Sequence, residues 1–139
     1  MTHYTTIEQS NRLFHLGLSP ASADMDYHCL KKADVAISSI PFFKDASEVE
    51  NSALHALYYR IPCWSLEALL EAMPKTITDE YDSTGCLGMC VFRNSSWEWV
   101  VYYSNADADC QALHEEQGDT LLEAVYNMVV WLLEEGYIE

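Results

Sequence analysis

Positive charge is what this sequence has least of. Seven lysines and arginines stand against 22 aspartates and glutamates in 139 residues, for a formal net charge of -15. The shortage is uneven. Residues 1–75 hold nine acids and six bases, whereas residues 76–139 hold thirteen acids and Arg93 alone, so the two parts carry -3 and -12. A surface of that sign repels nucleic-acid phosphates and anionic lipid headgroups, so neither DNA, RNA nor a membrane is an expected direct partner. Long apolar runs are missing too: none approaches the roughly 20 residues that a membrane span needs. The opening residues, Met1 to Glu8, have neither the basic cluster nor the apolar run of a secretory signal. The cytoplasm is therefore the expected location.

Cysteine is present, but not in the pattern of a disulfide framework. Cys29, Cys63, Cys86, Cys90 and Cys110 are an odd number and are scattered among apolar neighbours. A secreted domain stapled by disulfides favours an even count at dense spacing, so these five read as reduced, buried, small apolar residues.

What the chain does have is enough apolar material to fold. Half of its residues are hydrophobic and 12% are aromatic, which excludes a disordered chain despite the charge and predicts one domain over residues 1–139. A first helix is expected from Thr6 to Leu16, with Thr5 and Glu8 at the spacing of a capping box and Gly17 as its stop. Ser19 and Pro20 suit a short helical turn, as cap and first residue. Between Tyr27 and Arg60 the pattern is weaker. Val35 to Ile40 reads as a strand ended by Pro41, Asp45 to Tyr59 has helical spacing, and a partly ordered insertion is the alternative for the whole stretch.

The remainder is clearer. Ser65 caps a helix whose stripe is Leu66, Leu69, Leu70 and Met73, and Pro74 ends it. Strands follow at Cys86–Phe92 and Trp97–Tyr103 around the turn Arg93-Asn94-Ser95-Ser96, with a third at Cys110–His114. Thr120 and Glu123 predict a capping box for a last helix running to about Glu135, with Leu121, Leu122, Val125, Met128, Val129, Leu132 and Leu133 as its apolar face. The fold class is thus α+β: a small antiparallel sheet of about three strands packed against a long C-terminal helix, with additional N-terminal helices. Helix, three strands, helix is also the order of double-stranded RNA-binding domains. Those need basic residues to reach phosphates, and this half carries one arginine.

Three stretches carry a resemblance: Thr5 to Ser10 continuing to Leu16-Gly17-Leu18, Ile61 to Pro74, and Gly118 to Ala124 continuing through Trp131 to Ile138. In these the chain resembles a family of small uncharacterised proteins encoded by gut bacteria, often within prophages or other mobile elements. The resemblance leaves residues 27–60 unmatched, and its motifs are helix and core patterns. It implies no activity, cofactor or site residue. It does imply a context in which small proteins bind and modulate other proteins.

Chemical signatures are weak throughout. Cys86 and Cys90, four apart on a strand, would sit about 13 Å apart on one face, too far to share an ion held by sulfur bonds of about 2.3 Å. His3, His15, His28, His55 and His114 show no paired helical spacing, and His28 and Cys29, adjacent on a strand, point to opposite faces. Cys29 or Cys110 with a distant histidine could still form a dyad. The acids Asp79, Glu80, Asp82, Glu115 and Glu116 read as solvated loops, since glycoside hydrolysis also needs a sizeable cleft. Gly85 and Gly88 lack the Gly-Lys-Ser/Thr of a phosphate cradle. No catalytic, metal or cofactor residue is assigned and no cofactor is expected.

One strand is richer. Trp97, Trp99, Val101 and Tyr103 alternate onto one face, expected under the C-terminal helix, with Glu98, Val100 and Tyr102 on the other. Tyr is enriched at interfaces, so Tyr102, Tyr58 and Tyr59 become candidates for a partner surface. Glu134, Glu135 and Glu139 join them, because acids in a last helical turn face the negative end of the helix dipole. The expected function is a non-enzymatic, acidic protein–protein interaction module of mobile-element type with a basic partner. A DNA mimic that occupies a nucleic-acid-binding protein, and a small enzyme with a Cys–His pair, are the alternatives.

Overall fold

Two threonines compete to start the first helix, and burial decides between them. The computed structural model describes residues 3–32, 35–36, 38–44, 58–78, 86–104 and 112–138, with the backbone alone at residues 58, 78, 86, 87, 112 and 113. In it, helix α1 (Ile7–His15) is capped by Thr6, not Thr5: the Thr6 hydroxyl accepts the Gln9 amide and the Gln9 side chain accepts the Thr6 amide. Thr5 is withdrawn into the core, fully buried. Its hydroxyl bonds the Ser10 hydroxyl at 2.7 Å and accepts the Trp64 amide at 3.2 Å. Gly17 follows the helix at φ +102°, the left-handed conformation that a glycine stop supplies. Ser19 and Pro20 open the short helical turn Pro20–Ser22, as their order predicts.

The chain divides into two compact units, residues 1–68 and 69–139. In the first, strand β1 (Met25–Leu30) is central. It pairs antiparallel with β2 (Val35–Ala36) and β3 (Phe42–Phe43), and, over its full length, with β4 (Tyr58–Cys63). The N-terminal segment is stitched to the end of β4 through Thr5 N–H to the Trp64 carbonyl and Leu66 N–H to the His3 carbonyl, both at 2.9 Å. Met25, Tyr27, Cys29, Ile61 and Cys63 form a core that Tyr4, Ile7 and Tyr59 pack against. Trp64 is fully buried beside it in sequence, and its indole donates to the Ser22 hydroxyl at 2.9 Å.

Helix α2 (Leu66–Ala72), within which the division falls, starts as expected: the Ala68 amide donates to the Ser65 hydroxyl at 3.1 Å. Asp24 anchors that cap, accepting both the Ser65 amide and the Ser65 hydroxyl.

The second unit holds β5 (Thr76–Thr78), β6 (Cys86–Arg93), β7 (Trp99–Ser104) and β8 (Ala112–Gly118), a four-stranded antiparallel sheet in sequence order, and then α3 (Leu121–Glu134). The Thr120 hydroxyl accepts the Glu123 amide, while the Glu123 carboxylate takes the Asp119 amide rather than that of Thr120. Leu122, Val125, Met128, Val129, Leu132 and Leu133 are buried as the helical spacing predicts. Each such side chain contributes about 1.5–3 kcal/mol when fully buried. Gly118, at the end of β8, lets the helix begin there. A Cβ at this position would lie 2.6 Å from the Ala124 nitrogen and 2.9 Å from the Glu123 Cβ.

The fold class is therefore α+β, with antiparallel sheets and a long C-terminal helix. Three features correct the sequence reading. The described residues form two sheets of four strands each, not one of about three. Residues 58 and 59, placed at the end of a helix by their spacing, open strand β4; the rest of that expected helix, 45–57, lies outside the described residues, as do Cys110 and Glu139. Trp97 leaves the strand altogether and sits in the turn at φ +62°.

Tyr103 supplies a pH test of the second unit. It is fully buried and its hydroxyl donates to the Pro74 carbonyl at 2.6 Å. Burial pushes the phenol up from 10.0 to about 12. The neutral form is favoured in the fold, so this contribution is complete below pH 10 and is lost as the pH climbs towards 12. Stability of the wild-type chain should fall across that window in alkaline denaturation. Tyr103→Phe should cost about 1 kcal/mol at neutral pH and flatten the alkaline loss; an unchanged alkaline slope would refute the assignment.

Candidate functional site

The candidate partner residues are divided between the two units. Tyr59 packs into the core of the first unit, and of Tyr58 only the backbone is described. In the second unit Tyr102 is half-buried, its ring edge-on to Phe92 at 5.6 Å between centroids. Glu134 and Glu135 are exposed at the far end of α3, about 20 Å along the helix from its start at a rise of about 1.5 Å per residue. Tyr59 also lines the cleft described below, and Tyr102 lies on the β6–β7 hairpin, whose end carries a cluster of aromatic and charged side chains.

That cluster is the end of the β6–β7 hairpin. Asn94 builds the turn: its side-chain oxygen accepts the Ser96 and Glu98 amides, both at 3.0 Å, while its own carbonyl accepts the Trp97 amide. Trp97 then takes the left-handed position at which such turns favour glycine. The conformation costs an L-residue about 1–2 kcal/mol, and the turn gains no core packing in exchange, because Trp97 is 73% exposed. Arg93 lies over two indoles, 4.6 Å from the Trp99 ring centroid and 5.7 Å from that of Trp97. Val91 and Phe92 are also exposed. β5 covers only Cys86 to Gly88 of β6, so among the described residues Met89–Arg93 pair on one side only, with β7. Trp99 is paired with Gly118, which puts the hairpin end beside Asp119 and the exposed Glu123 at the start of α3.

A second feature lies in the first unit. A cleft of about 430 Å³ is lined by Asn11, Phe14, His15, Asp26, Lys44, Tyr59, Arg60 and Ile61, with Pro20 and Pro62. Asp26 is buried, and desolvation raises its pKa despite the opposing charges of Lys44, Arg60 and His28. Arg60 Nη1 lies 3.9 Å from the Asp26 carboxylate, and Arg60 Nη2 is buried without a hydrogen-bond partner. Beside them on β1, directly across the ladder from Arg60, His28 is 2% exposed and stacked on Phe42. Both of its ring nitrogens are buried without a partner. Desolvation first, then Arg60, holds its imidazole below the usual histidine range.

Among the described cysteines, Cys29 and Cys63 are buried and Cys90 is half-buried. Cys63 is fully buried, bonded to Thr5, and burial pushes its thiol up. Cys90 contacts the Gly88 carbonyl. Among the described residues no three His, Cys, Asp or Glu side chains are grouped so as to hold a metal ion, and no helix is long and apolar enough to cross a membrane.

The sequence pattern missed both sites for the same reason. Trp97 fits a strand alternation that in the structure begins two residues later, at Trp99, and Asp26, Lys44 and Arg60 meet only through a sheet that the pattern does not show. The chain matches no protein-family model, no curated protein and no solved structure.

Proposed function

We propose that this chain is a non-enzymatic protein-interaction module, acting in the cytoplasm and of mobile-element type, whose docking element is the β6–β7 hairpin. The observation that supports this reading is Trp97: a large aromatic side chain held in solvent by a backbone position that would be more stable with glycine. Local strain of this kind collects where function uses it. Trp, Tyr and Arg are the residues most enriched at the energetic centres of interfaces, and Arg93 lies over both Trp97 and Trp99 here. The partner is a protein with an apolar pocket for the indole inside a basic rim. The thirteen acids of residues 76–139, against Arg93 alone, suit that rim and accelerate association with it.

The test is Trp97→Gly. Relief of the left-handed strain, less the lost contact with Arg93, should leave the fold stabilised by up to about 1 kcal/mol in urea denaturation. In affinity capture from host lysate, a partner retained by wild type and by the Phe14→Ser control should be lost with Trp97→Gly. Its association with wild type should slow as salt is added. A partner that Trp97→Gly retains unchanged, or capture of nothing above the control matrix, would overturn the reading.

A further inference from the structure

We propose that the cleft of the first unit is a binding site for a small organic carboxylate with an apolar body, its head group taken by Arg60 and Lys44. The first support is an under-used guanidinium. An arginine presents five donors, yet the Asp26 carboxylate stands 3.9 Å from Nη1, an ion pair beyond hydrogen-bond length, and Nη2 has no partner. The residue opposite on β1 does not remedy this, since the His28 imidazole makes no hydrogen bond from either nitrogen. A buried donor left unmet costs about 1–3 kcal/mol, which an incoming acceptor would recover. The Arg60 side chain is 31% exposed, so its planar head can turn towards the cleft.

The second support is sign. In a chain of net charge -15 the described lining of the cleft carries two cations, Lys44 and Arg60, and one carboxylate, Asp26. The Lys44 ammonium is placed at the wall by donating to the Pro20 carbonyl at 2.8 Å. Repulsion from any acid more than about 8 Å away is largely screened at physiological salt.

The third support is shape. About 430 Å³ is a ligand-sized volume, within the usual range of about 300–1,000 Å³. Phe14, Tyr59, Ile61, Pro20 and Pro62 supply apolar walls for a ligand body, and the Phe14 ring is 48% exposed with no core role to explain it. The forked geometry of a guanidinium matches a carboxylate through two parallel hydrogen bonds, which selects that head group over a neutral amide.

The experiment titrates the full chain with 4-phenylbutyrate, 4-phenylbutyramide and inorganic phosphate, up to about 10 mM, a concentration that saturates a millimolar site. Binding is read by calorimetry and by the rise in thermal midpoint. The carboxylate is expected to bind and to raise the midpoint; the amide and phosphate should bind at least tenfold more weakly. Arg60→Met should weaken 4-phenylbutyrate at least tenfold, with Arg60→Lys intermediate. Because Arg60→Met could disturb β4, Phe14→Ser serves as a second variant on an exposed wall and should weaken the carboxylate without changing the midpoint of the empty protein. Binding of the amide as tightly as the acid, binding unchanged in both Arg60→Met and Phe14→Ser, or no binding of 4-phenylbutyrate at all would each overturn the proposal. The Trp97→Gly chain should bind the carboxylate as wild type does.

Discussion

Gly118→Ala should lower the thermal midpoint of the second unit by about 4–24 °C. The added methyl would sit 2.6 Å from the Ala124 nitrogen and about as close to the Glu123 side-chain stem, so it meets backbone that cannot swing aside. Forcing atoms into a packed site costs about 1–3 kcal/mol, and each kcal/mol moves the midpoint of a domain of 60–100 residues by about 4–8 °C. The strain falls where β8 hands over to α3, whose buried face supplies most of that unit's core. Melting followed by far-ultraviolet circular dichroism measures it. A midpoint within a degree or two of wild type would show that the helix start can shift to make room, and that the close approach is dispensable.

His28→Leu should have the opposite effect and stabilise the chain by about 1–3 kcal/mol, because it removes two buried ring nitrogens that have no partner. The pH profile distinguishes this cause from better packing. The folded imidazole titrates below its ordinary value of 6.5, so its contribution is complete above that pH and is lost as the pH falls through the depressed value. Asp26 works in the other direction. Its raised pKa means a contribution present below 3.8 that is lost as the pH rises towards the folded value. Wild type should therefore lose stability on acidification below about pH 6.5, and His28→Leu should not lose that increment. Equal slopes in the two proteins, measured by urea denaturation between those limits, would sink the assignment. A stabilised His28→Leu chain would also mean that the histidine is kept at a cost to the fold.

How far the fold could be read from the residues depended on whether local pattern and tertiary demand agreed. They agreed in α3, where a wide apolar stripe meets a sheet and Thr120 caps the start. They agreed in β6 and β7, whose turn is set by Asn94. They disagreed at Thr5 and Thr6, where either could cap α1; the buried bonds to Ser10 and Trp64 claimed Thr5 and moved the cap by one residue. β1 was hidden because it is buried along nearly its whole length, Asp26 and His28 included, so it shows no alternation of apolar and polar residues. β4 carries Pro62 and pairs with β1 alone among the described residues, a position where a missing amide is tolerated. Three-residue β5 is too short to give any period. Neither candidate site was legible, since the cleft needs β1 and β4 in register and the exposure of Trp97 needs a backbone angle.

The buried indole that ties Trp64 to Ser22 has a spectroscopic consequence. Trp64 is the sole tryptophan in residues 1–68, while Trp97, Trp99 and Trp131 all belong to the other unit. Replacing those three by phenylalanine leaves one emitter, sealed from solvent at 0% exposure. Its emission should be blue-shifted and resistant to quenching by acrylamide for as long as the first unit stays folded. Loss of that protection with denaturant, set beside the loss of helical signal from α3, would reveal whether the two units melt in one cooperative step or in succession.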